Sequence, residues 1–205
     1  MWIDVSVYDF TYAMRKLLKN KKIKIQHSFS SLVATWFYIG ALPLAQGTLA
    51  SLSTYPIYLF CIRSSLSGKE LSLSFALIAL VLFVLGLKCA SRYMRTHMVG
   101  DHCSIVIDEV VGQLIAFSVA NDFFYKLSIK FFSSNKIVNY ETGAFLIGFI
   151  LFRYFDIRKP LIIRWFERNL KGALGVMVDD IAAGLAAGGF AYIIYQIMNF
   201  SFNGF

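Results

Sequence analysis

Apolar residues dominate six stretches of the chain, at about 29–44, 49–62, 71–87, 105–120, 142–155 and 176–198, and polar or basic segments separate them. Runs of this length predict an all-α fold, a compact multi-helix membrane bundle. A straight crossing needs about 20 residues, and several of the runs are shorter. The prediction therefore includes tilted, re-entrant or buried core segments. Gly40, Pro43 and Gly47 interrupt the first run and predict a re-entrant or broken segment there. Irregular backbone at membrane depth survives only where protein or water satisfies it.

The first stretch, 1–27, lacks an apolar core followed by a small-residue cleavage site, so it does not read as a signal peptide. Phe10, Met14, Leu17 and Leu18 recur at helical spacing ahead of Lys19, Lys21, Lys22 and Lys24. That is the pattern of a basic amphipathic helix lying on an anionic leaflet, on the cytoplasmic side by the positive-inside tendency. Residues 28–200 then form a single helical membrane domain, with no internal repeat or low-complexity linker. A short interfacial helix is predicted over 161–169, where Trp165 and Phe166 lie among Arg164 and Arg168. Basic clusters recur between the runs, at Lys88, Arg92 and Arg95, at Lys126, Lys130 and Lys136, and from Arg153 to Lys171. They cannot all share one side if every run crosses, so the pattern leaves the topology open.

Composition agrees with a membrane domain: of 205 residues, 58 % are hydrophobic and 17 % aromatic. The 20 Lys plus Arg against 12 Asp plus Glu suit anionic lipid or a phosphorylated substrate. Nucleic acid is not an expected partner, because the basic residues sit beside apolar segments and no helix-turn-helix or zinc-finger spacing appears. Oligomeric state leaves no signal. Cys61, Cys89 and Cys103 are an odd set in or beside apolar runs, which predicts free thiols. A cysteine-nucleophile phosphatase would place Arg six positions after the Cys, but Glu109 occupies that position after Cys103.

The acids carry the chemistry. Asp101, Asp108, Glu109, Asp156, Glu167, Asp179 and Asp180 all abut apolar sequence. An ionised carboxylate near the bilayer centre costs about 2.5 to 3.5 kcal/mol unless it faces a polar cavity, a counter-ion or a metal. The adjacent pairs Asp108-Glu109 and Asp179-Asp180 would also repel one another. A divalent cation relieves both costs, and clustered hard oxygen ligands select Mg²⁺ or a similar ion over zinc. Helical spacing from Glu109 reaches Gly112, Gln113 and Ala116, and from Asp180 reaches Ala183, Gly184, Ala187 and Gly188. Small residues at this period let helices approach closely, so both acid pairs should end close-packed helices and face inward. Asp101 could continue the same side or lie in a loop at Gly100. Pro160 should break the helix after Asp156, which lies three residues from both Arg153 and Lys159.

Each feature also has a plain structural explanation. Paired acids at a helix start are often caps favoured by the dipole. Arg153 with Asp156 could be a structural ion pair, and Arg164, Arg168 and Lys171 headgroup contacts. His27, His97 and His102 share no metal-ligand spacing. It is the coincidence of several acids that points to a site.

Three motifs in order resemble the phosphatidylglycerophosphatase A family, over about 38–188. They are Gly40-Ala-Leu-Pro43-Leu-Ala-Gln-Gly47-Thr48-Leu-Ala-Ser51; Asp101-His-Cys-Ser-Ile105-Val-Ile-Asp108-Glu109-Val-Val-Gly112; and Phe152-Arg-Tyr-Phe-Asp156-Ile-Arg-Lys159-Pro160 with Gly172-Ala-Leu-Gly175-Val-Met177-Val-Asp179-Asp180. Gln46, Ala50, Ile162 and Ala173 depart from the family pattern, and none of them removes a charged candidate.

The resemblance implies a Mg²⁺-dependent enzyme that removes the phosphomonoester of phosphatidylglycerophosphate to give phosphatidylglycerol. It also implies a place in the cytoplasmic membrane of a bacterium. Under that reading Asp108, Glu109, Asp179 and Asp180, with Asp101, hold one or two Mg²⁺ ions. Lys159 and Arg153 neutralise phosphoryl oxygens, Asp156 orients a water or acts as base, and Thr48 with Gly47 adds donors to the phosphate. Attack by water and attack by a carboxylate need the same residues. The competing reading from another class is an ion-coupled transporter or channel, which would favour inverted repeats and more full spans. A nonenzymatic scaffold would tolerate loss of the acids, and a lipid phosphotransferase would show spaced aspartates with an intervening Ala-Arg, which are missing.

Overall fold

The computed structural model describes residues 27–64, 66–100, 102–132, 139–160, 163, 165 and 169–202. The predicted amphipathic segment 1–27 therefore lies outside the described residues except for His27, as does most of the predicted 161–169 helix. All regular elements among the described residues are helical.

The first apolar run is broken, as the Gly-Pro-Gly pattern predicts. Helix α1 (Phe29–Ala34) starts where Ser28 Oγ accepts from the Ser31 amide at 3.1 Å. It gives way to Trp36, Phe37 and Tyr38, all left-handed at φ 43°, 56° and 65°. Such backbone costs L-residues about 1–2 kcal/mol each, so something must hold it. Trp36 Nε1 donates to Ser53 Oγ at 2.7 Å, and the Phe37 and Gly40 amides donate to Leu32 O and Thr35 O. A 3₁₀ turn (Ile39–Ala41) and a loop through Pro43 follow.

The second run is broken too, which the apolar pattern alone does not predict. It forms α2 (Gln46–Leu52) and α3 (Tyr55–Arg63). Between them Ser53 Oγ donates to Ala50 O at 2.6 Å and Thr54 Oγ1 to Ser51 O at 2.7 Å, and Pro56 brings no amide. Hydroxyls that bond the preceding turn compete with the helical ladder, and proline removes a donor from it.

The remaining helices are long: α4 (Gly68–His97), α5 (Ile107–Phe132), α6 (Tyr140–Arg158) and α7 (Gly172–Phe202). Helix α4 opens on a capping box between Ser67 and Glu70. It continues past the apolar run through Lys88 to His97, because Lys and Arg form helices well yet are invisible to a hydrophobic pattern. Helix α5 bends at Ala120 (φ −137°). Helix α6 ends at Lys159, which is left-handed (φ 41°), just before Pro160.

Helix α5 is the central post and packs against α4, α6 and α7. The small-residue stripes read from the sequence meet here. A side chain on Gly184 would strike the Gly112 carbonyl, and one on Gly112 would strike the Asp180 carbonyl and the Phe152 ring. Further along, Tyr58, Phe75, Phe117 and Phe145 form the aromatic core, with the Phe117 ring 4.7 Å from Tyr58 and 5.5 Å from Phe145. Gly68–His97 and Gly172–Phe200 are the two stretches among the described residues long and apolar enough to cross a membrane. Leu73, Leu77, Leu80, Val81 and Val84 form the outward apolar face of α4.

Candidate active site

The segment before α5 is fixed by the broken first run. The Val106 amide donates to Ala34 O at 3.0 Å, and Gly40 lies so close to the Ser104 carbonyl that a Cβ would not fit. His102 closes the turn, its Nδ1 accepting from the Ser104 amide at 3.2 Å, while the Ile105 amide donates to His102 O. The start of α5 is thereby set in position, and Asp108 and Glu109 fall in its first turn. That position favours acids through the helix dipole, as the capping explanation has it. The cap does not account for their burial, because Asp108 is buried and faces a second set of acids.

That second set comes from α7. The close approach at Gly112 and Gly184 carries Asp180 up to α5, and one carboxylate oxygen each from Asp108, Glu109 and Asp180 lie within 4.8 Å of one another. Three buried oxygens in this group, Asp108 Oδ1, Glu109 Oε2 and Asp180 Oδ2, have no hydrogen-bond partner. An unpaired buried carboxylate oxygen is costly, and three acids brought this close together call for a cation. Hard oxygen donors in this number could hold a divalent ion such as Mg²⁺.

The end of α6 supplies the bases. Arg153 Nη1 lies 2.6 Å from Asp156 Oδ2, close enough for an ion pair but not aligned as a hydrogen bond. Lys159 Nζ donates to Asp179 Oδ2 at 2.6 Å, linking the end of α6 to α7 across the site. Asp179 Oδ1 also accepts from the Asp180 amide at 3.1 Å. Asp108, Glu109, Asp156, Lys159, Asp179 and Asp180 all line one cavity of about 140 Å³. Its walls are mostly polar, and it is large enough for a phosphate group with an ion.

The sequence candidates are therefore not equivalent. Asp108, Glu109 and Asp180 form the tight group, whereas Asp179 lines the same cavity with its carboxylate engaged by Lys159. Arg153 reaches the site through Asp156 and Glu109. Thr48, in α2, is not among the lining residues; its neighbour Gly47 packs against the site, where a Cβ would strike Glu109 and crowd Arg153. Asp101 lies outside the described residues.

Besides the apolar Ile105 and Val176, two residues not selected from the sequence also line the cavity, His102 and Cys103. No ligand spacing marks them. The signal that could have found them is their place in the second motif, directly ahead of Asp108.

Comparison with known proteins identifies the relatives of this chain. A profile of the phosphatidylglycerophosphatase A family matches residues 32–195. The chain is 30 % identical over 165 residues to phosphatidylglycerophosphatase A of Escherichia coli K12, an alignment covering 80 % of this chain and 81 % of the relative. It is 32 % identical to the Haemophilus influenzae protein of the same name over 82 % of this chain and 88 % of that one. A Bacteroides thetaiotaomicron protein, named provisionally as a phosphatidylinositol-3-phosphatase, is 33 % identical over 75 % of this chain and 86 % of its own. No solved structure matches. The matched region contains α4, all three motifs and every candidate acid among the described residues. The chain is a membrane protein that belongs to the phosphatidylglycerophosphatase A family, whose members are phosphoric monoester hydrolases.

Proposed function

We propose that this protein is a Mg²⁺-dependent lipid phosphatase that hydrolyses phosphatidylglycerophosphate to phosphatidylglycerol and inorganic phosphate, a step of phospholipid biosynthesis. On this reading it is a multi-pass protein of a bacterial inner membrane with the site at the cytoplasmic face, and 28–200 form the catalytic domain. The observation that carries the proposal is the meeting of Asp108, Glu109 and Asp180 within 4.8 Å, in a family named for this activity.

Asp108, Glu109 and Asp180 would hold the ion. When bound, Mg²⁺ supplies concentrated positive charge against the phosphoryl oxygens as negative charge moves toward the leaving oxygen. Asp179 holds Lys159 at the cavity wall, so that its ammonium needs only a short swing to reach a phosphate oxygen. Arg153 offers a planar donor set suited to phosphate, and its Nε has no partner. Asp156, held by Arg153, orients the attacking water and accepts its proton. A P–O bond to water forms, the P–O bond to glycerol breaks, and the alcohol leaves with a proton.

The test is phosphate release from phosphatidylglycerophosphate by purified protein, with and without Mg²⁺, alongside Asp108→Asn and Asp180→Asn. Release that is Mg²⁺-dependent and lost in both variants supports the proposal. Undiminished release in chelator, or in Asp180→Asn, overturns it.

A further inference from the structure

Between Gly40 and Gly47 the chain exposes five consecutive apolar residues, Ala41, Leu42, Pro43, Leu44 and Ala45. Leu44 is 78 % and Leu42 43 % exposed. The loop is held in shape: the Leu42 amide donates to Ile39 O at 3.0 Å, Gln46 Nε2 donates to Leu42 O at 2.7 Å, and Ala45 is left-handed at φ 52°. A run of exposed apolar residues on a fixed loop is unfavourable unless something apolar covers it.

Its two ends say what that is. Gly40 is pressed on the Ser104 carbonyl, between Cys103 and Ile105 of the cavity wall, and Gly47 is pressed on Glu109 and Arg153. The apolar run is thus anchored at both ends on segments that carry cavity residues, which sets hydrocarbon-like surface beside the carboxylates. A molecule lying across that boundary carries a phosphate at one end and hydrocarbon at the other.

We propose that the 41–45 loop seats the glycerol and acyl portion of the lipid whose phosphate enters the cavity, through Leu42 and Leu44. It thereby selects long-chain lipid phosphomonoesters over water-soluble ones. This rests on the phosphatase reading above and adds to it the element that recognises the lipid. Leu42 and Leu44 are specificity residues in this account, remote from the reacting atoms.

Two measurements test it. The first compares wild type with a Leu42→Ser/Leu44→Ser variant on dioleoyl and on dibutyryl phosphatidylglycerophosphate. Trading two leucine contacts for serines should lower kcat/KM for the dioleoyl ester about tenfold or more, with the dibutyryl ester unchanged. Equal loss on both esters, or loss on neither, overturns the proposal. The second places a fluorophore at Leu44→Cys in a Cys103→Ser background, in vesicles of anionic phospholipid. Quenching by a lipid-borne nitroxide supports the proposal. Quenching by aqueous iodide alone, or shielding from both by a second copy or another protein, overturns it. Should wild type hydrolyse neither ester, the phosphatase reading fails on its own, and the depth measurement still decides whether the loop meets lipid.

Discussion

Gly112 of α5 and Gly184 of α7 meet backbone to backbone: a methyl group on Gly184 would run into the Gly112 carbonyl and approach the Ala116 amide. This contact stands one turn beyond both acid pairs. It sets how far Asp180 lies from Asp108 and Glu109, so helix packing and site geometry are one constraint.

Gly184→Ala should therefore cost stability and disturb the site together. Overpacking of a close contact typically costs about 1–3 kcal/mol, so thermal unfolding in detergent should shift down. Because the added methyl pushes α7 from α5, the stabilisation gained on adding Mg²⁺ should shrink as well. Gly189→Ala is the control, since nothing lies within 4 Å of a Cβ there. Equal behaviour of the two variants would show that the contact does not govern the site.

The acids of α7 should separate. Asp180 belongs to the tight carboxylate group, whereas Asp179 is engaged with Lys159. Asp180→Asn should abolish the rise in thermal stability on adding Mg²⁺ and lower activity about a hundredfold or more. Asp179→Asn should keep most of that rise and lose only part of the activity. Identical Mg²⁺ responses would mean that both acids hold the ion.

Gly47→Ala tests the floor of the site. Its Cβ would strike Glu109 Oε1 and come within 3.2 Å of Arg153 Nη1. Residues that orient metal ligands typically change affinity about 10–100-fold when altered. The Mg²⁺ concentration giving half-maximal activity should rise by that order, with a smaller change at saturating Mg²⁺. A fall in rate that excess Mg²⁺ does not relieve would place the effect on Arg153 instead.

Much of this was legible in the sequence because it depended on local or periodic signals. Pro160 marked the end of α6, Gly40 and Gly47 marked a broken segment, and the stripes after Glu109 and Asp180 marked two helices that pack closely. The different placement of Asp179 and Asp180 was not legible, since adjacent residues on a helix differ by about 100° in direction and only tertiary contacts say which faces the other acids. The break at Ser53 and Thr54 leaves no mark in the pattern, because hydroxyls capping the preceding turn leave the apolar run intact. His102 and Cys103 reached the cavity through a turn whose path depends on Ala34 and Gly40, far away in sequence.

The Lys159–Asp179 pair raises a question that a double-mutant cycle answers. A purely structural bridge between α6 and α7 would make Lys159→Met and Asp179→Asn each destabilising, because each removes one side of a partly buried ion pair. The double variant would then recover stability, with a coupling of about 0.5–3 kcal/mol. If the bridge also serves to park the ammonium beside the phosphate, activity should not follow stability. Lys159→Met should lose activity about as fully as the double variant, whereas Asp179→Asn should retain more, since it leaves the ammonium in place. Lys159→Arg would keep the charge but replaces the compact ammonium with a broad planar fork, so it should restore stability better than rate. Recovery of activity in the double variant would reduce Lys159 to a strut and leave Arg153 as the phosphate's cationic partner.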